Sequence, residues 1–170
     1  MITVCNTQVV QHEKSHDPVA FLLSQLGSRS AQVFANMLKP LGLSPPDAGI
    51  LRLLGHSPGI SQQELAGRLG MHASRLVSFI DAMEERGLVA RQANESDRRI
   101  YSLQLTRAGR EMLEAIGRVA RAHDEAICAP LSEEERVQLG GLLKKLAQGH
   151  GLAPGIHPGY QSLGKRRKSY

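Results

Sequence analysis

Between Gly59 and Gly109 the chain reads GISQQELAGRLGMHASRLVSFIDAMEERGLVARQANESDRRIYSLQLTRAG, which crowds two helix signals and a hairpin signal into one stretch. The first helix opens at Ser61. Its hydroxyl can accept from the backbone N–H three residues on, while Glu64 reaches back, forming a capping box. Leu65, Ala66 and Leu69 give an apolar face, and Gly70 ends the helix because a residue without Cβ tolerates the turn. The second helix is expected from about His72 to Arg86. In it Leu76, Phe79, Ile80 and Met83 fall at i, i+3, i+4 and i+7 and form a core stripe. Ala73, Ser74, Arg75, Val77 and Ser78 project elsewhere, and Gly87 closes the helix. Two helices of this size, about a three- to four-residue turn apart, satisfy the helix-turn-helix template.

Leu88–Gln92 and Ile100–Leu105 then read as two strands joined by the turn formers Ala93–Asp97. Arg98 and Arg99 follow the turn directly. Arginine beside a narrow minor groove gains from the negative potential there. Asp97 cannot favour a phosphate, so its expected part is to hold an arginine by a charge-assisted hydrogen bond. A helix pair followed by an arginine-bearing wing is suited to gripping a DNA duplex.

Bulk charge adds little. The 170 residues carry 21 Lys and Arg against 16 Asp and Glu, but four of the cations are Lys165–Lys168. From Ser61 to Thr106 there are six of each sign, so the proposed reader is neutral and position must carry the argument. Asp81, Glu84 and Glu85 cluster late in the second helix, away from its N-terminal half. A chain of this length can bury a sufficient core without disulfides or metal. Cys5 and Cys128 have no metal-like spacing and fit a reduced, cytoplasmic protein. The N-terminus lacks a basic n-region and an apolar h-region, and no apolar run reaches membrane-spanning length. The histidines form no H-x-x-x-H, so neither metal nor cofactor is expected. No phosphate-binding glycine loop or nucleophile elbow is present, and the contiguous Ser15-His16-Asp17 is not a triad assembled in space; the chain does not read as an enzyme.

The flanks are helical in pattern. Asp17-Pro18 starts a helix with proline as its first residue, and Val19, Leu22, Leu23, Leu26, Val33, Phe34, Met37 and Leu38 carry it to Lys39. Ser44 starts the next, holding Ile50, Leu51, Leu53 and Leu54. Thr106 caps a long helix from Arg107 to about Ala129, and Ser132 with Glu135 makes another capping box before Val137, Leu139, Leu142, Leu143 and Leu146. A small core cannot cover so much apolar surface from both chain ends, which implies a second copy and a twofold homodimer. Gly149–Gly164, rich in Gly and Pro, and the basic run after it read as disordered.

The motifs S-Q-Q-E-L-A-G-R-L-G, E-E-R-G-L-V, and D-R-R followed six residues later by L-T-R-A-G-R resemble the MarR family of bacterial transcription regulators. The likeness runs from about Pro18 to about Gln148. It implies a mainly α fold with a small β-hairpin wing: a winged helix-turn-helix core at 44–106, flanked by dimerisation helices at 17–43 and 107–148. Residues 1–16 are expected to form a flexible arm and 149–170 a flexible basic tail. By the same resemblance Arg99 is the wing residue placed to enter the minor groove, with Asp97 as its orienting partner, and Arg98 is a phosphate contact or a solvated charge. Many members carry a long polar residue where this chain has Ala73 and Ser78, and Thr where it has Arg75 and Val77. Arg75 is therefore the expected base reader, for example bidentate to a guanine. Ser74 and Ser78 allow close approach, and His72 either touches a phosphate or ends the turn. Gln62 and Gln63 sit at a positive helix end suited to phosphates. Arg91 completes the expected DNA-contacting set.

The resemblance also implies a small organic effector, often an aromatic acid, in a crevice between the dimer helices and the reader, with Phe34, Met37, Arg52 and His56 as candidate walls. The expected function is that of a dimeric transcription regulator, in the repressor sense. It would bind a palindromic operator in double-stranded DNA, with half-sites about 34 Å apart. The competing reading is a winged-helix protein–protein module that does not bind DNA, consistent with the neutral reader.

Overall fold

Hydroxyl side chains open four of the helices in the computed structural model of the chain, which describes residues 17–93 and 101–162. The elements are α1 (Val19–Leu38), a 3-10 turn (Lys39–Leu41), α2 (Pro45–His56), β1 (Ile60–Ser61), α3 (Gln62–Leu69), α4 (Ala73–Glu85), β2 (Val89–Ala93), β3 (Tyr101–Leu105), α5 (Arg107–Cys128), α6 (Glu133–Gly149) and a second 3-10 turn (Pro158–Ser162). The Oγ atoms of Ser44, Ser61, Thr106 and Ser132 accept the N–H three residues on, at 3.4, 3.1, 3.0 and 3.3 Å. Each such cap is worth about 1 kcal/mol. The reciprocal box forms at Ser44–Asp47 and at Ser132–Glu135. The box expected at Ser61 is only half made, because the Glu64 carboxylate pairs with Arg68 one turn on at 2.7 Å. Pro18 is the N-cap of α1 rather than its first residue.

The expected two-stranded hairpin is part of a three-stranded antiparallel sheet in the order β1-β3-β2. Val89 pairs with Leu105 and Arg91 with Leu103 on one side, while Ile60 pairs with Leu103 on the other. Two residues of β1 are too few for a period to show, so the strand was invisible in the sequence.

The core lies where α2, α3, α4 and the sheet meet. Ile50, Leu51, Leu54, Leu65, Leu76, Ile80 and Leu103 are fully buried, each stabilising the fold by about 2 kcal/mol. α1 lies against α5 and gives the core only Leu38 as a fully buried residue, and α6 buries none of its residues. Phe21 and Leu26 on α1 are 52% and 59% exposed, and Val137 and Leu142 on α6 are 69% and 55% exposed. Two helices thus carry apolar residues that the other described residues leave uncovered. Among the described residues no helix is long and apolar enough to cross a membrane.

The Gly149–Gly164 segment, read as disordered from its composition, carries the second 3-10 turn at Pro158–Ser162. After α6 the chain turns at Gly151 and runs back to α2, where Tyr160 is buried. The basic run Lys165–Lys168 and Cys5 lie outside the described residues.

Candidate nucleic-acid interface

α4 is the centre of the site, and its neighbours fix which way it faces. Gly70, at φ 61°, ends α3 in the left-handed region that glycine enters without strain. Leu76, Ile80 and Met83 are buried on the inner side of α4. His72, at its N-cap, and Ala73, Ser74, Arg75, Val77 and Ser78 all stand exposed. The Arg75 guanidinium lies 5.3 Å from the centroid of the Phe79 ring. That cation–π contact contributes about 0.5–1 kcal/mol at an exposed site. It limits the directions in which the arginine can reach. The first turn of α4 carries no acid. Gln62 and Gln63 form the first turn of α3, where unpaired N–H groups and the positive helix end gather.

Arg91 has a different surrounding from the one expected. Its Nη2 donates to Asp81 Oδ1 at 2.5 Å and to Gln62 Oε1 at 3.4 Å, and its Nη1 donates to Glu84. Burial works against its charge, but hydrogen bonds and attraction from the two acids outweigh burial and hold its pKa above the ordinary value. This arginine ties β2 to α3 and α4 and engages two of the six acids counted in the reader.

The wing is anchored by the residues of its own motif. Thr106 Oγ1 donates to the Gly87 carbonyl at 2.6 Å while capping α5. A Cβ at Gly109 would overlap the Leu88 carbonyl, whose carbon would lie 3.0 Å away, so the start of α5 can seat against the wing only with glycine there. Arg86 donates to the carbonyls of Gly42 and Leu41 at 3.0 and 3.2 Å, joining the end of α4 to the 3-10 turn. Asp97, Arg98 and Arg99 lie in the segment joining β2 to β3, outside the described residues.

Behind the reader, a crevice of about 580 Å³ lies among α1, α2 and α5. Of the four expected wall residues, Phe34 and Arg52 line it; Met37 and His56 do not. His56 instead places its Nδ1 2.7 Å from the Arg52 carbonyl. The crevice also holds His123, whose ring centroid is 5.2 Å from that of Phe34. Its Nε2 is 3.0 Å from the Ser30 carbonyl oxygen; because a carbonyl only accepts, this nitrogen carries the proton. A histidine seven residues after the buried Ile116, on the same stripe of α5, was the signal available in the sequence. Gly49 and Tyr160 complete the wall, and no periodicity pointed to either. Burial pushes the Tyr160 phenol above its usual pKa. Among the described residues no three His, Cys, Asp or Glu side chains gather as a metal site, and Cys128 is a free, half-buried thiol.

The MarR family profile matches residues 43–101, from the end of the first 3-10 turn to the start of β3. A candidate transcriptional regulatory protein for the hcr operon of Thauera aromatica is 36% identical over 105 residues, which span 62% of this chain and 63% of that protein. The HTH-type transcriptional repressor Rv2887 of Mycobacterium tuberculosis is 32% identical over 129 residues, 76% of this chain and 93% of the repressor. The crystal structure of that repressor in complex with DNA has a TM-score of 0.66 to this fold at 29% identity, covering 76% of this chain and 97% of the other. Its complex with salicylic acid gives 0.63 at 31% identity over 78% and 98%. A shared winged core, matched almost end to end by a repressor of similar sequence, shows that the chain belongs to the MarR family.

Proposed function

We propose that the chain is a dimeric, sequence-specific DNA-binding transcription regulator, acting as a repressor in the cytoplasm, whose DNA affinity a small organic ligand modulates. The observation that carries this reading is α4: one side is locked into the core, and every N-terminal residue on the other side is exposed and free of acids. Such a helix can enter a major groove with Arg75 as its base reader. Ala73, Ser74 and Ser78 allow close approach, while His72, Gln62 and Gln63 are placed for phosphates. Arg99, oriented by Asp97, enters the minor groove, with Arg98 on the backbone. The Mycobacterium tuberculosis relative's complexes with DNA and with salicylic acid support both halves of the reading. The apolar residues of α1 and α6 supply the dimer interface that a palindromic operator requires. A protein–protein module is supported by the neutral charge of the reader, but Asp81 and Glu84 lie in the second half of α4, engaged by Arg91 and away from its acid-free first turn. The test is titration of a labelled operator duplex at moderate salt. Arg99→Ala weakens binding by more than about tenfold, in line with a lost minor-groove arginine; unchanged affinity refutes its role.

A further inference from the structure

The crevice behind the reader is partly filled by the chain's own C-terminal segment. Leaving α6, the chain returns to α2, and there Tyr160 is 8% exposed although most of its neighbours are exposed. Its hydroxyl donates to the Pro45 carbonyl at 3.4 Å. Opposite it stands Gly49, in the middle of α2, where glycine weakens a helix relative to alanine. A Cβ at Gly49 would overlap the Tyr160 hydroxyl and come within 2.6 Å of the ring carbon that bears it. The helix is therefore notched at the point where the phenol sits. Arg52, the only Lys or Arg among the described residues that line the crevice, donates to the carbonyl of Gly155.

We propose that residues 153–160 are a resident occupant of the effector crevice, and that an aromatic carboxylate binds by displacing them. This rests on the reading of the crevice as the effector site. The physical case lies in the two anchors. A neutral carbonyl is a weaker partner for a guanidinium than a carboxylate, which makes charge-assisted, bidentate bonds. An incoming aromatic acid takes Arg52 from Gly155 and offers a ring in exchange for the phenol of Tyr160. Beside these two anchors Ile156 packs against the core, and the segment is released as a unit. Because α2 packs against β3 as well as lining the crevice, exchange of one occupant for the other is felt at the base of the wing.

The experiment compares the full-length wild type with Tyr160→Ala, using salicylate as the probe in calorimetry and amide exchange over residues 151–160 as a second readout. Tyr160→Ala binds salicylate at least about fivefold tighter, since a competitor for the site is gone. The same amides exchange fast in Tyr160→Ala and in the salicylate-saturated wild type, but slowly in the free wild type. Equal or weaker salicylate binding by Tyr160→Ala, or unprotected amides in the free wild type, overturns the proposal while leaving an effector site standing. If salicylate binds neither protein but the amides behave as stated for the free proteins, the aromatic-acid reading fails and only the docked segment survives. Gly49→Ala, a change that favours the helix, guards against misfolding of the first variant: it frees the same amides without lowering Tm. Continued protection in Gly49→Ala contradicts the docked geometry.

Discussion

Arg75 and Arg91 lie sixteen residues apart on the same reader, and their surroundings give them opposite work. Arg75 is exposed and leans on the Phe79 ring, whereas Arg91 is engaged by Asp81, Glu84 and Gln62. Replacing Arg75 by Ala should cost about 1–3 kcal/mol of discrimination between operator and non-operator DNA. Replacing Arg91 by Gln should lower Tm by a few degrees, as expected for loss of about 1–2 kcal/mol in charged hydrogen bonds. It should leave the salt slope of DNA binding unchanged; a slope reduced by about one would make Arg91 a phosphate contact after all. The sequence placed both arginines on the reader, but nothing in its local pattern distinguished them. The difference lies in a meeting of α3, α4 and β2 that spans 29 residues from Gln62 to Arg91, beyond the reach of helical or strand periodicity.

At the scale of elements, the connection from wing to α5 depends on one close approach. Gly109 lies in the first turn of α5 and faces the Leu88 backbone, while the Thr106 hydroxyl holds the Gly87 carbonyl. Gly109→Ala should destabilise the fold by about 3 kcal/mol, because backbone rather than a movable side chain must give way. Thr106→Ala should cost about 1 kcal/mol, the loss of a cap. Denaturant melts of both variants check this; a silent Gly109→Ala would mean that α5 and the wing can part freely. Helix starts at Ser44, Ser132 and Thr106 were legible because a cap is a local event with a fixed spacing. β1 was not, since its pairing with β3 joins Ile60 to Leu103 across α3, α4 and β2. The crevice was half legible for a similar reason. Phe34 and Arg52 followed from a family likeness, but Tyr160 reaches α2 through a segment whose Gly and Pro content argued for disorder.

For the whole molecule, the proposed assembly rests on the apolar residues of α1 and α6. Val137 and Leu142 on α6 and Phe21 and Leu26 on α1 are each more than half exposed, and exposed apolar patches mark interaction sites. Light scattering should find twice the 18.5 kDa chain mass. Leu142→Glu should shift the mass toward a single chain and weaken operator binding, because half-sites are gripped together only by a dimer. In the proposed complex two copies present α4 and the wing to one duplex. In vitro selection of bound DNA from a random library, with affinities read at two salt concentrations, tests it most directly. The expected result is an inverted repeat with half-site centres about one helical turn, or 34 Å, apart, bound less tightly as salt rises. No enriched sequence and no salt dependence would contradict it.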